Sequence, residues 1–200
     1  MNNINNFILF PVTFFGSLAG QKNNTKIALI IAALAGFFTS GSSLIATRNI
    51  MPEGMTIIQF VFLFCLSGVL TTAMILALAW LPIKLFVGTK HRNLEIAGWT
   101  LVPQLIYGTI LVIFAFAFPF YISSKDQANY GIEFITEAMV RDLPSSITIV
   151  GGYIFTAWNI CLIYCAVIAF SNSKKRAMGA AVLSIIISLL LAYSKLLVKS

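Results

Sequence analysis

IIQFVFLFCLSGVLTTAMILALAWLPIKLF, residues 57–86, runs for thirty positions with one charged side chain, Lys84. A helix that crosses a hydrocarbon core of roughly 30 Å needs about 20 mostly apolar residues. At about 1.5 Å per residue this run would reach roughly 45 Å. It is therefore expected to tilt, or to break near Pro82, with Lys84 snorkelling to the interface. Four other runs satisfy the same length test: Ile27–Thr47, Leu101–Ile122, Ile147–Phe170 and Ala177–Tyr193. The expected fold class is all-α, a polytopic transmembrane bundle of five spans occupying residues 27–200.

Composition agrees. The chain is 59% hydrophobic and 10% charged, whereas an ordinary globular chain is about 25% charged. That little charge cannot cover a soluble fold of this size, and disorder requires the opposite balance of charge and hydrophobicity. The net charge of +7 does not indicate nucleic acid, because the cations lie in short connectors between apolar runs. The triplet Lys174-Lys175-Arg176 is the one basic cluster.

Counting Lys and Arg by side orients the bundle. Lys22, Lys26, Lys84, Lys90, Arg92, Lys174, Lys175 and Arg176 share the side of the amino terminus, and Arg48, Lys125, Arg141, Lys195 and Lys199 lie opposite. The excess places the amino terminus in the cytoplasm and the carboxyl terminus outside. Glu53, Asp126, Glu133, Glu137 and Asp142 fall on the outer side, which leaves Glu95 as the one cytoplasmic acid. Such a face suits anionic headgroups.

Two shorter segments stand apart. Phe7–Ala19 is apolar but contains Pro11 and is too short to span, and no cation precedes it as in a signal peptide. It reads as an interfacial segment within an amino-terminal region of residues 1–26, or alternatively as a shallow re-entrant segment or sixth span. In the long connector, Ile132, Ile135, Met139 and Leu143 share one helical face while Glu133, Glu137 and Arg141 share another. That pattern predicts a short amphipathic helix on the outer interface, ending at Pro144. Phe114 to Phe120 alternates like a strand, yet within a helical span it reads as an aromatic belt loosened by Pro119.

Small residues at every fourth position predict close helix packing. They are Ala28, Ala32, Gly36 and Ser40; Ala157, Cys161, Cys165 and Ala169; and Ala180, Ser184, Ser188 and Ala192. The same stripes would also serve a homo-oligomer. Cys161 and Cys165 share a face but lack the further ligands of a metal site, and His91 is the single histidine. No metal or other cofactor is expected. Thr72, Gln104, Tyr107 and Asn159 are polar groups inside spans. They read as interhelical glue or, alternatively, as the lining of a path for a lipid or small solute.

The connector from Lys90 to Pro103 concentrates the remaining chemistry. Arg92 and Glu95 are spaced to pair across a helical turn, Trp99 suits the interface, and Gly98 and Pro103 mark the approach to the third span. His91 with Glu95 would be a sparse acid–base pair with no nucleophile beside it, so no catalytic residue is assigned.

Gly98-Trp99-Thr100-Leu101-Val102-Pro103 resembles the third-helix motif of the Yip1-domain family: Gly, Tyr, Ser, an apolar pair and Pro. Trp stands here for Tyr and Thr for Ser. Phe10-Pro11 ahead of the first span, and the turn Ser173-Lys174-Lys175-Arg176-Ala177 after Trp158 and Tyr164, also fit that family's layout. The resemblance implies five membrane helices and a cytoplasmic amino terminus. Eukaryotic members carry a long cytosolic amino-terminal region and are linked to trafficking and prenylated small GTPases. With 26 residues ahead of its first span, this chain is more similar to the short bacterial members, so the GTPase-adaptor role is not carried over.

The expected function is a non-enzymatic organiser or adaptor integral to a bacterial cytoplasmic (inner) membrane. Its partners would be membrane lipids, another membrane protein or further copies of itself, and not nucleic acid. Contacts would run through Lys90, Arg92, Glu95, Gly98, Trp99, Pro103, Lys174, Lys175 and Arg176. The alternative is a transporter of a lipid or small solute, with Thr72, Gln104, Tyr107 and Asn159 along the path.

Overall fold

A computed structural model describes residues 7–21, 24–46, 56–88, 92–117 and 143–197. Among these residues the chain is helical throughout, with no strand. The helices are α1 (Pro11–Ala19), α2 (Thr25–Ala46), α3 (Ile57–Val87), α4 (Asn93–Thr100), α5 (Val102–Ala117), α6 (Leu143–Ser171) and α7 (Lys174–Leu197). Four stretches are long and apolar enough to cross a membrane: Thr25–Ser42, Ile57–Val87, Asn93–Ala117 and Val150–Ser171. The fifth expected span falls within α7, a helix of 24 residues.

Helix α3 shows why this bundle requires lipid. Only 6% of an apolar 18-residue stretch of it is buried, and Ile57, Ile58, Phe62, Val69, Leu70 and Leu85 are all exposed. A helix that is apolar on every side has no stable aqueous face. This is a membrane protein. The helix is also unbroken: Pro82 lies inside it, fully buried. The break considered at Pro82 does not occur, and the run continues through it as one helix of 31 residues. Neighbouring helices enclose a membrane proline well enough to tolerate its missing hydrogen bond.

Two further expectations are corrected. The helical stretch that carries the third expected span starts at Asn93, ahead of Leu101, with a single interruption at Leu101 where the backbone N–H bonds the Gly98 carbonyl at 3.1 Å. The residues read as a connector, Glu95, Gly98 and Trp99, are therefore helical. Pro144 opens a helix instead of closing one, because it sits in the first turn of α6, where proline's missing N–H costs nothing. The amphipathic helix expected ahead of it, and Phe118 to Phe120, lie outside the described residues; Phe114 and Phe116 are helical in α5.

The chain divides into two compact units. Unit one comprises Met1–Ala32, Ala73–Pro103 and Ala157–Ser200; unit two comprises Ala33–Thr72 and Gln104–Thr156. The core of unit one joins Phe14, Phe15 and Leu18 of α1 to Ile83 and Val87 of α3, Ile96 and Ala97 of α4, Leu162 and Val167 of α6, and Ala177 and Ala180 of α7. Its helices touch through small residues. A Cβ on Gly98 would lie 2.5 Å from the Ala28 Cβ and 2.7 Å from the Ala28 carbonyl carbon, so only glycine allows α4 this near to α2.

Unit two uses the same device. A Cβ on Gly36 would stand 2.6 Å from both Cα and N of Thr72. Phe37 fills the notch at Gly68, and its ring meets that of Phe64 at 5.9 Å. Gly108 lies against Phe38 and Thr39, and Tyr107 covers Gly151 and Gly152.

The small-residue stripes divide accordingly. Ala28, Ala32 and Gly36 are buried in α2, as are Ala180 and Ser184 in α7. The α6 stripe is split: Ala157 and Cys161 are exposed, Cys165 and Ala169 are half-buried against the core, and the fully buried side is Leu162, Ile163, Ala166 and Val167. Bulky side chains fill that seam, so small size did not mark the buried side.

Candidate functional site

Arg92, Glu95 and Trp99 are spaced at i, i+3 and i+7, which puts all three on one side of α4. Arg92 Nε lies 3.5 Å from Glu95 Oε2, so the pair expected from the sequence is formed. It is largely enclosed, with side-chain exposures of 15% for Arg92 and 2% for Glu95.

Each partner also reaches a different helix end. Glu95 Oε1 accepts the backbone N–H of Asn24 at 3.0 Å, at the residue that precedes α2. Arg92 Nη2 donates to the Gln21 carbonyl, just beyond α1. A helix start carries orphan N–H groups and partial positive charge, and a helix end carries orphan carbonyls and partial negative charge. The carboxylate therefore complements the start of α2 and the guanidinium complements the end of α1. One ion pair clamps the turn between the two helices.

Trp99 extends the clamp along α1. Its ring meets Phe14 edge-on at 5.2 Å and Phe7 at 6.2 Å, and Phe7 in turn packs edge-on against Phe14 at 5.0 Å. With Phe15 and Leu18 these rings bury one side of α1. Edge-to-face aromatic pairs each add roughly 0.5–1.5 kcal/mol beyond area burial. The segment ahead of the first span thus forms part of the core of unit one. Its spacing, with Phe7, Phe14 and Leu18 on one helical side, was the available signal. The role of Asn24 and Gln21 had none, because backbone groups carry no sequence pattern.

Arg92 Nη1, Glu95 Oε2 and Trp99 Nε1 have no hydrogen-bond partner among the described residues. Glu95, Gly98 and Pro103 are buried, so they serve the internal packing of unit one rather than an open contact surface. Lys90 and His91 lie outside the described residues.

Lys174, Lys175 and Arg176 occupy a different setting. All three are exposed in the first turn of α7. The turn before them is tight: Asn172 adopts φ 49°, its N–H bonds the Ile168 carbonyl at 2.9 Å, and Ser173 Oγ accepts the Arg176 N–H at 3.4 Å. Asparagine is among the few non-glycine residues that take this left-handed conformation readily. Three cations at a helix start oppose the dipole. That placement costs stability unless an external anion neutralises it.

The polar groups within the spans are divided between the two units. Thr72, Gln104 and Tyr107 belong to unit two and Asn159 to unit one. The Thr72 hydroxyl donates to the Gly68 carbonyl at 2.7 Å and approaches that of Ala33 at 3.4 Å, within its contact against Gly36. Tyr107 packs on Phe155 with ring centroids 5.4 Å apart.

Among the described residues no group of three or more His, Cys, Asp or Glu could hold a metal. Comparison with protein-family models finds a match over residues 6–195, described as Yip1 domain. No curated protein and no solved structure matches the chain.

Proposed function

The chain belongs to the Yip1 domain family, and from that premise we propose that it is a non-enzymatic organiser or adaptor with five spans. The fifth span is α7, the amino terminus is cytoplasmic, and the membrane is a bacterial inner membrane. The protein works by binding lipids or partner membrane proteins through its basic end. The observation that carries this reading is the charge pattern of unit one. Lys26, Lys84, Lys174, Lys175 and Arg176 are exposed, whereas Glu95, the sole acid among the described residues, is buried against Arg92. The exposed charge at helix ends is thus of one sign, which attracts anionic headgroups or an acidic partner.

Thr72 supports the adaptor over the transporter. Its hydroxyl is committed to backbone carbonyls inside a glycine notch, as interhelical glue would be.

The test is purification in native nanodiscs, followed by mass spectrometry of co-purifying proteins and lipids. A reproducible partner or an enriched anionic lipid, lost when Lys174, Lys175 and Arg176 become Ala, is the expected result. Retention of every partner and lipid by that variant refutes the reading. Flux of lipid or solute through the reconstituted protein, abolished by Asn159→Ala, would replace it with transport.

A further inference from the structure

Helix α1 and the residues 7–10 ahead of it are together apolar on both sides. Phe7, Phe14, Phe15 and Leu18 face the core, while Ile8, Leu9, Phe10 and Val12 point away from it, Leu9 being 68% exposed. Residues 7–21 contain no charged side chain. A segment of this length, at about 1.5 Å per residue, reaches roughly 22 Å and cannot cross a bilayer core of about 30 Å. It is nonetheless too apolar on its outer side to rest in water.

Its position is fixed by contacts within unit one. The end of α1 is held at Arg92, the start of α2 at Glu95, and Gly98 lies on Ala28. Phe86 near the end of α3 packs against Gly179 near the start of α7. Lys26 follows in the first turn of α2, Lys84 lies in the last turn of α3, and the basic triplet opens α7. The apolar outer side of α1 is therefore accompanied by exposed cations and by no exposed acid among the described residues. An apolar strip with a cationic border matches the acyl chains and phosphates of one anionic leaflet.

We propose that α1 and the residues 7–10 ahead of it form a wedge fixed in a single leaflet, with Ile8, Leu9, Phe10 and Val12 among acyl chains, so that the protein prefers membrane convex toward its basic end. The inference rests on the lipid-binding reading above but needs no protein partner. The clamp matters to it. A surface helix that detaches senses its membrane only while bound, whereas α1 is held by the ion pair and the Trp99 cluster, which makes the added volume in that leaflet permanent.

The test uses the full chain, with Cys65, Cys161 and Cys165 replaced by Ser and an environment-sensitive dye placed at Leu9→Cys. It is reconstituted in phosphatidylcholine–phosphatidylglycerol vesicles. The wedge requires quenching by acyl-chain-brominated lipid and protection from an aqueous quencher. A dye open to water overturns the proposal. So does a dye shielded from water yet unquenched by the lipid, since protein would then cover α1. In membrane tubes drawn from giant vesicles, molecules with the basic end outward should be enriched on the tube relative to the flat membrane. The combined variant Ile8→Ser, Leu9→Ser, Phe10→Ser should lose that enrichment at unchanged thermal stability, because those side chains touch no core. Equal density on tube and flat membrane, or enrichment surviving in the variant, sinks the idea. Failure here leaves co-purification dependent on the α7 triplet unaffected, so the two readings fail separately.

Discussion

Removing the Glu95 carboxylate is the sharpest perturbation of the clamp. Two unit charges 3.5 Å apart attract by about 5 kcal/mol at an effective dielectric near 20. Most of that is offset by the cost of desolvating both ions. Breaking a buried pair from one side typically costs about 3–5 kcal/mol. Arg92 retains 15% exposure and recovers some hydration, so Glu95→Ala should cost about 2–4 kcal/mol. Glu95→Gln keeps an acceptor for the Asn24 N–H but loses the charge facing Arg92 and the start of α2. It should cost about 1–2 kcal/mol. Arg92→Ala combined with Glu95→Ala should cost less than the sum of the single changes, with a coupling of about 1–3 kcal/mol. The assay is reversible unfolding of the full chain in mild detergent. A second readout follows α1 directly. A thiol at Leu18→Cys, in a chain lacking Cys65, Cys161 and Cys165, should be protected in the parent and labelled rapidly in Glu95→Ala. Additive effects within about 0.5 kcal/mol, or protection of that thiol in both backgrounds, would refute the clamp.

Gly98→Ala drives a methyl onto Ala28 and should destabilise by about 1–3 kcal/mol. Ala28→Gly should restore part of this, because the Cβ contact at 2.5 Å disappears while the backbone contact at 2.7 Å remains; full rescue, or none, contradicts the packing described. At Asn172, with φ 49°, a change to Val should lower the unfolding free energy by about 1–2 kcal/mol, whereas Gly should be near neutral in the same detergent assay. A reporter that fluoresces only in the cytoplasm, fused after Ser200, should be dark if α7 spans and the amino terminus is inside; a bright fusion refutes the five-span topology.

The membrane class and the helical architecture were legible because burial in lipid imposes a length and a composition that any single span displays on its own. Small residues predicted close approach where backbones meet, at Ala28, Gly36 and Ala180. They held only in part in α6, where Cys165 and Ala169 pack against the core but Leu162 and Val167 fill the seam and Cys161 faces outward. Size alone does not state which side of a helix is covered. Arg92 and Glu95 were correctly paired from their spacing, since both lie on one helix. Their larger role was not legible, because it is addressed to the backbone at Gln21 and Asn24 across 71 residues of sequence. Trp99, read as an interfacial ring, packs on Phe7 and Phe14. Aromatic character predicted that it would sit against something apolar, not that this would be the chain's own first helix.

The same span of 71 residues has a consequence in time. A ribosome adding about 5–20 residues per second needs roughly 4–14 s to proceed from Gln21 to Arg92. During that interval the hairpin of α2 and α3 is already emerging, while the end of α1 has no guanidinium and the start of α2 no carboxylate. Helix α1 is thus fastened only after both α2 and α3 have been synthesised. Until α4 arrives, a nascent chain presents bare aromatic rings that a membrane insertase or the lipid itself must hold.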